Sequence, residues 1–519
     1  MLFNSHIFLL VYLPIVLFGF FQIGRHRQSL AGLWLFLASL VFYGWWNPAF
    51  VGLLLLSIAF NYQVGLALSR AKNNKNQVHA RRILQLGIGT DLGLLAYFKY
   101  ANFFVENIDA AFGLNWQIQT ILLPVGISFF TFTQIAFLVD AYRGDVKEAN
   151  FIHYGLFVTY FPHLIAGPVL HHKEMMPQFA HVSTYKLNWE NLAVGSTIFA
   201  LGLFKKVVLA DNIAPFASPV FAIAANGGSL SMLEAWGGVL AFTFQLYFDF
   251  SAYSDMAIGL SRLFGVKLPL NFNSPYKSVN MVEFWRRWHM TLSRFLRDYL
   301  YIALGGNRKG PLRRYANLMI TMVLGGLWHG AGWTFLIWGA LHGAYLIINH
   351  GWHQIRKVSG DDMHSSSLIG RMTSTAITFF AVVVAWVFFR AESLDAAVNV
   401  LRGMSGYNGL TLPMKMMQGG LGATMADWGV ASGDLVALKN TPGGVSQLFF
   451  WLILLSGIVW FMPNTQQIMG NFKPAIEKIA VKSRVQWKPN TLWMIITAII
   501  LLYAFTEIGK VSEFLYFQF

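Results

Sequence analysis

Apolar positions fill this chain in runs of about twenty residues, broken by short polar or basic stretches, and that is the length a helix needs to cross a bilayer. The runs predict spanning helices near 7–23, 30–46, 49–69, 83–100, 121–140, 151–170, 190–210, 235–260, 372–389, 447–463 and 491–507. Residues 315–350 are long enough for a helical hairpin, and several shorter runs could be re-entrant. The first run has no Lys or Arg before it and no small-residue cleavage site after it, so it reads as a retained helix and not a signal peptide. Without a long repeat, a coiled coil or a low-complexity tail, residues 1–519 read as one all-α, polytopic membrane domain.

Composition sharpens this picture. AVILMFWYC residues make up 55% of the chain and charged residues 12%, against roughly 25% charged in ordinary soluble proteins. A soluble enzyme is excluded. Cysteine is absent, which removes disulfides, thiolate metal sites and any enzyme-bound thioester, so a covalently carried acyl group would sit on oxygen or nitrogen. The formal charge of +15 marks cytoplasmic loops in such a chain and does not call for a nucleic-acid partner. Arg70, Lys72, Lys75, Arg81 and Arg82 meet no acid in their loop, whereas 101–120 carries Glu106 and Asp109 and no base. The first segment is therefore expected inside and the second outside. Arg262 to Arg314 and Lys473 to Lys488, both rich in Lys and Arg, also belong inside. The Gly-rich, nearly charge-balanced stretch 391–446 reads as an external loop, and the tail 509–519 as external or in the outer leaflet.

Three constellations stand out. In Asn271 to Arg308, a helical projection puts Trp285, Trp288, His289, Leu292 and Leu296 on one face and Arg286, Arg287, Arg294 and Arg297 on the other, with Glu283 able to pair at i+3 and i+4. This predicts an amphipathic helix at the cytoplasmic interface, whose arginines meet lipid phosphates or an anionic substrate. In Leu324 to Gly339, four glycines surround Trp328 and His329, which leaves room for close helix packing or for a ligand against the backbone. Neutral imidazole is cheap to bury among titratable groups and suits a general base, although a His bonded to a neighbouring carbonyl would give the same pattern. In Tyr247 to Gly259, Asp249 and Asp255 lie in an apolar stretch, either in a structural buried network or lining a polar cavity. His171, His172 and Glu174 do not make a metal set, and no Gly-rich phosphate loop is present.

FPHLIAGPV (161–169), YFDFSAYSDMAIG (247–259), the block from FNSPY to WRRWH (272–289), GLWHG (326–330) and VFFRAESL (387–394) together resemble the membrane-bound O-acyltransferases, most of all the bacterial alginate O-acetyltransferase branch. The resemblance runs from near residue 1 to the C-terminus. It implies a helical bundle around a central funnel, with re-entrant or interfacial helices, and an acyl donor that enters from the cytoplasm. By it, His329 corresponds to the active-site histidine and His289 to the second signature histidine. Trp285, Arg286, Trp288, Asn271, Tyr276, Trp328, Asp249 and Asp255 become the candidate substrate- or donor-binding residues. Ala252 stands where relatives commonly carry Gly.

The terminal EFLYFQF is similar to the F-x-Y-x-x-F motif that ends partner peptides of D-alanyl-transferring relatives, where a tyrosine is thought to accept the acyl group. Tyr516 is then a candidate acyl carrier, or the segment is an aromatic anchor at the interface. The whole reads as an inner-membrane, multi-pass O-acetyltransferase that takes acetyl from acetyl-CoA and serves an exported polysaccharide, alginate first, with a periplasmic acetyltransferase partner. Cellulose, teichoic acid or peptidoglycan are further polymers. A polysaccharide or lipid-linked sugar transporter is the competing class, and the inverted repeat it predicts is not found.

Overall fold

The apolar runs fold as helices. Ala49–Asn73, Trp189–Ala225, Leu368–Arg390 and Gly444–Phe461 are long and apolar enough to cross a membrane, and Phe8–Gly24, Gln28–Gly44 and Thr491–Glu507 are shorter apolar helices. The computed structural model describes every residue except 115, 117–118, 147–149, 361–366, 419, 478–482, 510–514 and 516–519, with backbone alone at 420 and 421. Among the described residues the only β pairing is Thr411–Leu412 with Ala431–Ser432. The protein is an all-α polytopic membrane protein.

The centre of the molecule is the helix Met232–Leu263, 32 residues long and buried over most of its length. Ser231 and Glu234 start it with a reciprocal capping box, which satisfies two of the amide groups that a helix start leaves open. Trp189–Ala225 runs against it backbone to backbone: a Cβ on Gly259 would lie 2.6 Å from Phe199 N and 2.8 Å from Gly195 O. Small residues give this contact its closeness, as expected for helices that meet in lipid. A π-turn at Lys205–Ala210 in the same helix presents Lys205 and Lys206 to the acids of the central helix.

Four segments differ from the sequence expectation. The run 151–170 is helical only over Phe151–Thr159, and the following FPHLIAGPV stretch is buried without helix. Its freed amides are taken up by neighbours, Phe161 N–H by Ser39 Oγ at 3.2 Å and Val169 N–H by Thr291 Oγ1 at 3.0 Å. Non-helical backbone is tolerated at membrane depth when protein surrounds it. The expected amphipathic helix is broken in two, Met281–Trp285 and Met290–Phe295. His289 at the break has φ 42° and ψ 52°, the left-handed region. Residues 271–273 cause the break: Met290 N–H donates to Asn271 O and Asn273 N–H to Arg287 O, both at 2.9 Å. Segment 101–112 is helical and continues the preceding helix through a π-turn. The stretch 391–446, expected as an external loop, contains the helix Leu394–Met404. The hairpin at 315–350 forms as Gly310–His329 and Trp333–Val358.

Candidate active site

The two hairpin helices approach so closely because glycines face each other: a Cβ on Gly326 would lie 3.1 Å from Gly339 Cα, and one on Gly339 2.9 Å from Val323 Cα. His329 is the last residue of the first hairpin helix. Its ring packs among Trp328, Trp338 and Phe389, with centroids 4.9, 5.1 and 5.2 Å away. The carbonyls that a helix leaves open at its C-terminus are capped from the helix 77–112. Tyr100 Oη donates to Leu327 O at 2.9 Å, and Lys99 Nζ donates to Trp328 O, to His329 O at 3.1 Å and to Ser128 Oγ at 3.3 Å. An ammonium at this end also complements the helix dipole.

His289 lies beside it, the two imidazole centroids 6.3 Å apart, and is fully buried. Asn271 decides its tautomer. Thr291 N–H and Thr291 Oγ1–H both point to Asn271 Oδ1, at 3.4 and 2.9 Å. A backbone amide can only donate, so this atom is the amide oxygen. His289 Nδ1, 3.1 Å from the same oxygen, must then carry the hydrogen, and Nε2 holds the lone pair. Phe250 packs edge-on against the His289 ring at 4.8 Å.

Two cavities reach His329, and a third lies separately on the other side of the ring cluster. By the charge assignment of the loops, one of about 330 Å³ opens outward and is lined by Trp46, Lys99, Ser128, Trp328 and His329. A small one of about 10 Å³, enough for a single water, lies under His329 between Phe250, Trp288, Trp338, Trp386 and Phe389. A third, of about 460 Å³, opens to the basic, cytoplasmic face between Trp285, Arg286, Arg294, Arg297, His350 and Glu477. Arg294 is held by Glu174 at 2.6 and 2.8 Å, and Arg297 by Asp298 at 2.7 Å. Arg286 is exposed and makes no ion pair with another described residue. Burial holds the Glu477 carboxyl above its usual range, against the opposing pull of Leu270 N–H and Arg294.

The residues singled out by sequence thus separate. His329 lines the external and small cavities, Trp328 the external one, Trp288 the small one, and Trp285 and Arg286 the cytoplasmic one. Asn271 stands behind His289. Tyr276 stacks on Trp288 and donates to Thr243 O at 2.8 Å. Asp249 and Asp255 line none of the three cavities: Asp249 pairs with Lys206 at 2.6 Å and Asp255 with Lys205 at 2.7 Å. His172 goes to Asp140 and Glu174 to Arg294. Tyr516 lies outside the described residues. Lys99, Trp338, His342 and Trp386 belong to the site and were not singled out. A lysine inside an apolar run was the available sign for the first, and a Trp–His pair four residues apart on one helix for the next two.

The chain matches the membrane-bound O-acyltransferase family over residues 94–385. It is 44% identical to the peptidoglycan O-acetyltransferase of Helicobacter pylori over 440 residues, 79% of this chain and 81% of that one. It is also 44% identical over 412 residues to the "Probable alginate O-acetylase AlgI" of Pseudomonas aeruginosa, covering 78% of this chain and 75% of that protein. A teichoic acid D-alanyltransferase of Streptococcus thermophilus is 30% identical over 48% of this chain. Breadth and identity agree with the buried histidine pair between two cavities: the chain belongs to the membrane-bound O-acyltransferase family.

Proposed function

We propose that the protein transfers acetyl from acetyl-CoA in the cytoplasm to hydroxyl groups of an exported polysaccharide, alginate first, in the inner membrane and together with a periplasmic acetyltransferase partner. One observation carries this reading: His329 lines both the outward cavity and the small cavity beneath it. A base at that junction can serve an acceptor that arrives from outside and a thioester that arrives from inside. Arg286 at the cytoplasmic cavity fits the phosphates of the donor. His329 takes the proton of the accepting hydroxyl as its oxygen attacks the thioester carbonyl. The C–S bond breaks, and the thiolate leaves with that proton. His289, its Nδ1–H held by Asn271, fixes the geometry beside it. The transporter alternative gives way because the chain belongs to an acyltransferase family.

The H. pylori relative at equal identity supports a second polymer, peptidoglycan. Expression in a host that makes both polymers, followed by base-released acetate from each, separates the two. The test of the reaction itself is His329→Gln at matched protein level. A positioned base contributes about 10²–10⁴ in rate, so acetylation should fall by that factor while insertion persists. Near-normal acetylation would sink the assignment.

A further inference from the structure

Asp91 is a buried acid that no basic side chain answers. Asp140, Asp249 and Asp255 face His172, Lys206 and Lys205 at 3.0, 2.6 and 2.7 Å. Asp91, on the helix Gln77–Leu95, pairs with no Lys, Arg or His among the described residues, where its hydrogen bond comes from Asn61 Nδ2 to Oδ1 at 2.8 Å. An ionised carboxylate at membrane depth is costly unless a positive charge accompanies it. Ser57 and Asn61 stand on Ala49–Asn73 and Gln134 on Ile127–Arg143, so three helices bring their middles together around this acid. All four residues are at least nine-tenths buried. One turn toward the cytoplasm, Gly87 lets the helices close: a Cβ there would lie 2.7 Å from Leu138 Cδ1 and 3.0 Å from Val64 Cγ1.

The polar atoms at this meeting point do not balance. Asn61 Nδ2 sits where three oxygens converge, Asp91 Oδ1, Ser57 O at 3.1 Å and Gln134 Oε1, and the last of these also receives Ser57 Oγ–H at 2.8 Å. An amide nitrogen carries two hydrogens and cannot serve three acceptors. Asn61 Oδ1 and Asp91 Oδ2 accept nothing among the described residues, and Gln134 Nε2 donates to nothing there. A half-turn of the Asn61 amide exchanges its nitrogen for its oxygen, and a carboxylate, two amide oxygens and a backbone carbonyl then surround one point. Oxygens with no hydrogen between them are ligands for a hard cation. The single negative charge sets the valence: a monovalent ion leaves the site neutral, whereas a divalent one leaves a net charge in the membrane. A proton on Asp91 is the competing occupant, and it would make the site indifferent to metal ions.

We propose that Ser57, Asn61, Asp91 and Gln134 form a site for one monovalent alkali cation, sodium or potassium, separate from the acetyl-transfer site. The site ties the helix that leads to Lys99 to the helix that carries Ser128, and those two groups meet at 3.3 Å beside the His329 carbonyl. The cation braces the outward cavity from within the membrane.

Purified full-length protein in detergent would be melted at constant pH in sodium, potassium or choline chloride of equal ionic strength, which holds screening constant. A cation that binds only the folded chain raises the melting temperature with its concentration. The rise should appear with sodium, potassium or both, be absent with choline, and vanish in Asp91→Asn. Whichever ion acts at the lower concentration is the one the site takes; either supports the proposal. Identical melting in all three salts overturns it and leaves Asp91 with a proton. A rise that Asp91→Asn keeps in full overturns it as well. Should Asp91→Asn not fold, Gln134→Leu keeps the carboxylate and removes one oxygen. The cation concentration needed should then increase by about tenfold or more, the scale on which metal sites respond to loss of a supporting group, and an unchanged concentration overturns the proposal. Equilibrium dialysis of wild type against radioactive sodium, or rubidium in place of potassium, reads binding directly: saturable uptake of one ion per chain supports the site, and none overturns it.

Discussion

Asn271 Oδ1 is a single atom on which the chemistry of His289 turns. It gathers Thr291 N–H, Thr291 Oγ1–H and His289 Nδ1–H, and Asn271 Nδ2 is itself steadied by Ser254 Oγ at 3.3 Å. Asn271→Leu keeps the volume and removes the acceptor, so the imidazole loses its fixed tautomer and orientation. Acetylation turnover should fall by about 10–100-fold, the usual scale for a group that orients a histidine, with donor KM little changed. An unchanged turnover, measured on purified protein of normal thermal stability, would reduce Asn271 to packing. Sequence made Asn271 a candidate only through the motif it sits in. Its role was not legible, because it depends on a backbone turn at His289 that no helical projection contains. His329 stood out as an imidazole in a lipid-phase run, but its role and that of His289, which the projection put on an interfacial helix, came from the motifs they sit in.

At the scale of elements, hydropathy found the hairpin and most of the spans because it reports which segments leave water. It does not report whether they are helical, and FPHLIAGPV shows the difference: the stretch is as apolar and buried as its neighbours, yet it is unwound. The broken amphipathic helix shows another side. Trp285, Trp288, His289, Leu292 and Leu296 are all buried as a continuous helix would have them, so the period survived a break that it could not reveal. The hairpin gives a direct check on packing. A Cβ on Gly339 meets the Met322–Val323 backbone, while on the same helix a Cβ on Gly351 meets nothing within 4 Å. Gly339→Ala should lower stability by about 1–3 kcal/mol by overpacking and carry His329 out of place. Gly351→Ala should raise it by up to about 1 kcal/mol through helix propensity. Melting of both variants in detergent would read the two signs. Equal shifts would mean that the hairpin crossing is not tight.

For the molecule as a whole, the question under the proposed reaction is how an acetyl group handled at His329 would leave on the outer side. The last helix, Thr491–Glu507, follows a basic stretch, which by the charge rule would put its end outside. Beyond it the chain comes back: Leu515 is buried, and its N–H donates to Asp249 Oδ2 at 3.0 Å. Asp249 Oδ1 is fixed by Lys206 at 2.6 Å, and Lys206 also pairs with Asp211 at 2.8 Å. The buried acid that sequence singled out thus receives the residue before Tyr516. Tyr516, Phe514, Phe517 and Phe519 lie outside the described residues, so the carrier role stands on chemistry. An ordinary tyrosine, with a pKa near 10, is protonated at neutral pH and needs a base to become a nucleophile. His329 would take that proton as the phenol oxygen attacks the thioester carbonyl and the thiolate leaves. The aryl ester would then pass acetyl to a polymer hydroxyl, with the phenol restored. Tyr516→Phe keeps the aromatic tail and removes only the oxygen. Polymer acetylation should drop to the level of His329→Gln, and the wild-type C-terminal peptide should carry an acetyl group in intact-mass analysis after exposure to donor alone. Full acetylation by Tyr516→Phe, with no acetyl ever found on the wild-type peptide, would leave the tail as an anchor and send the acetyl directly from thioester to acceptor.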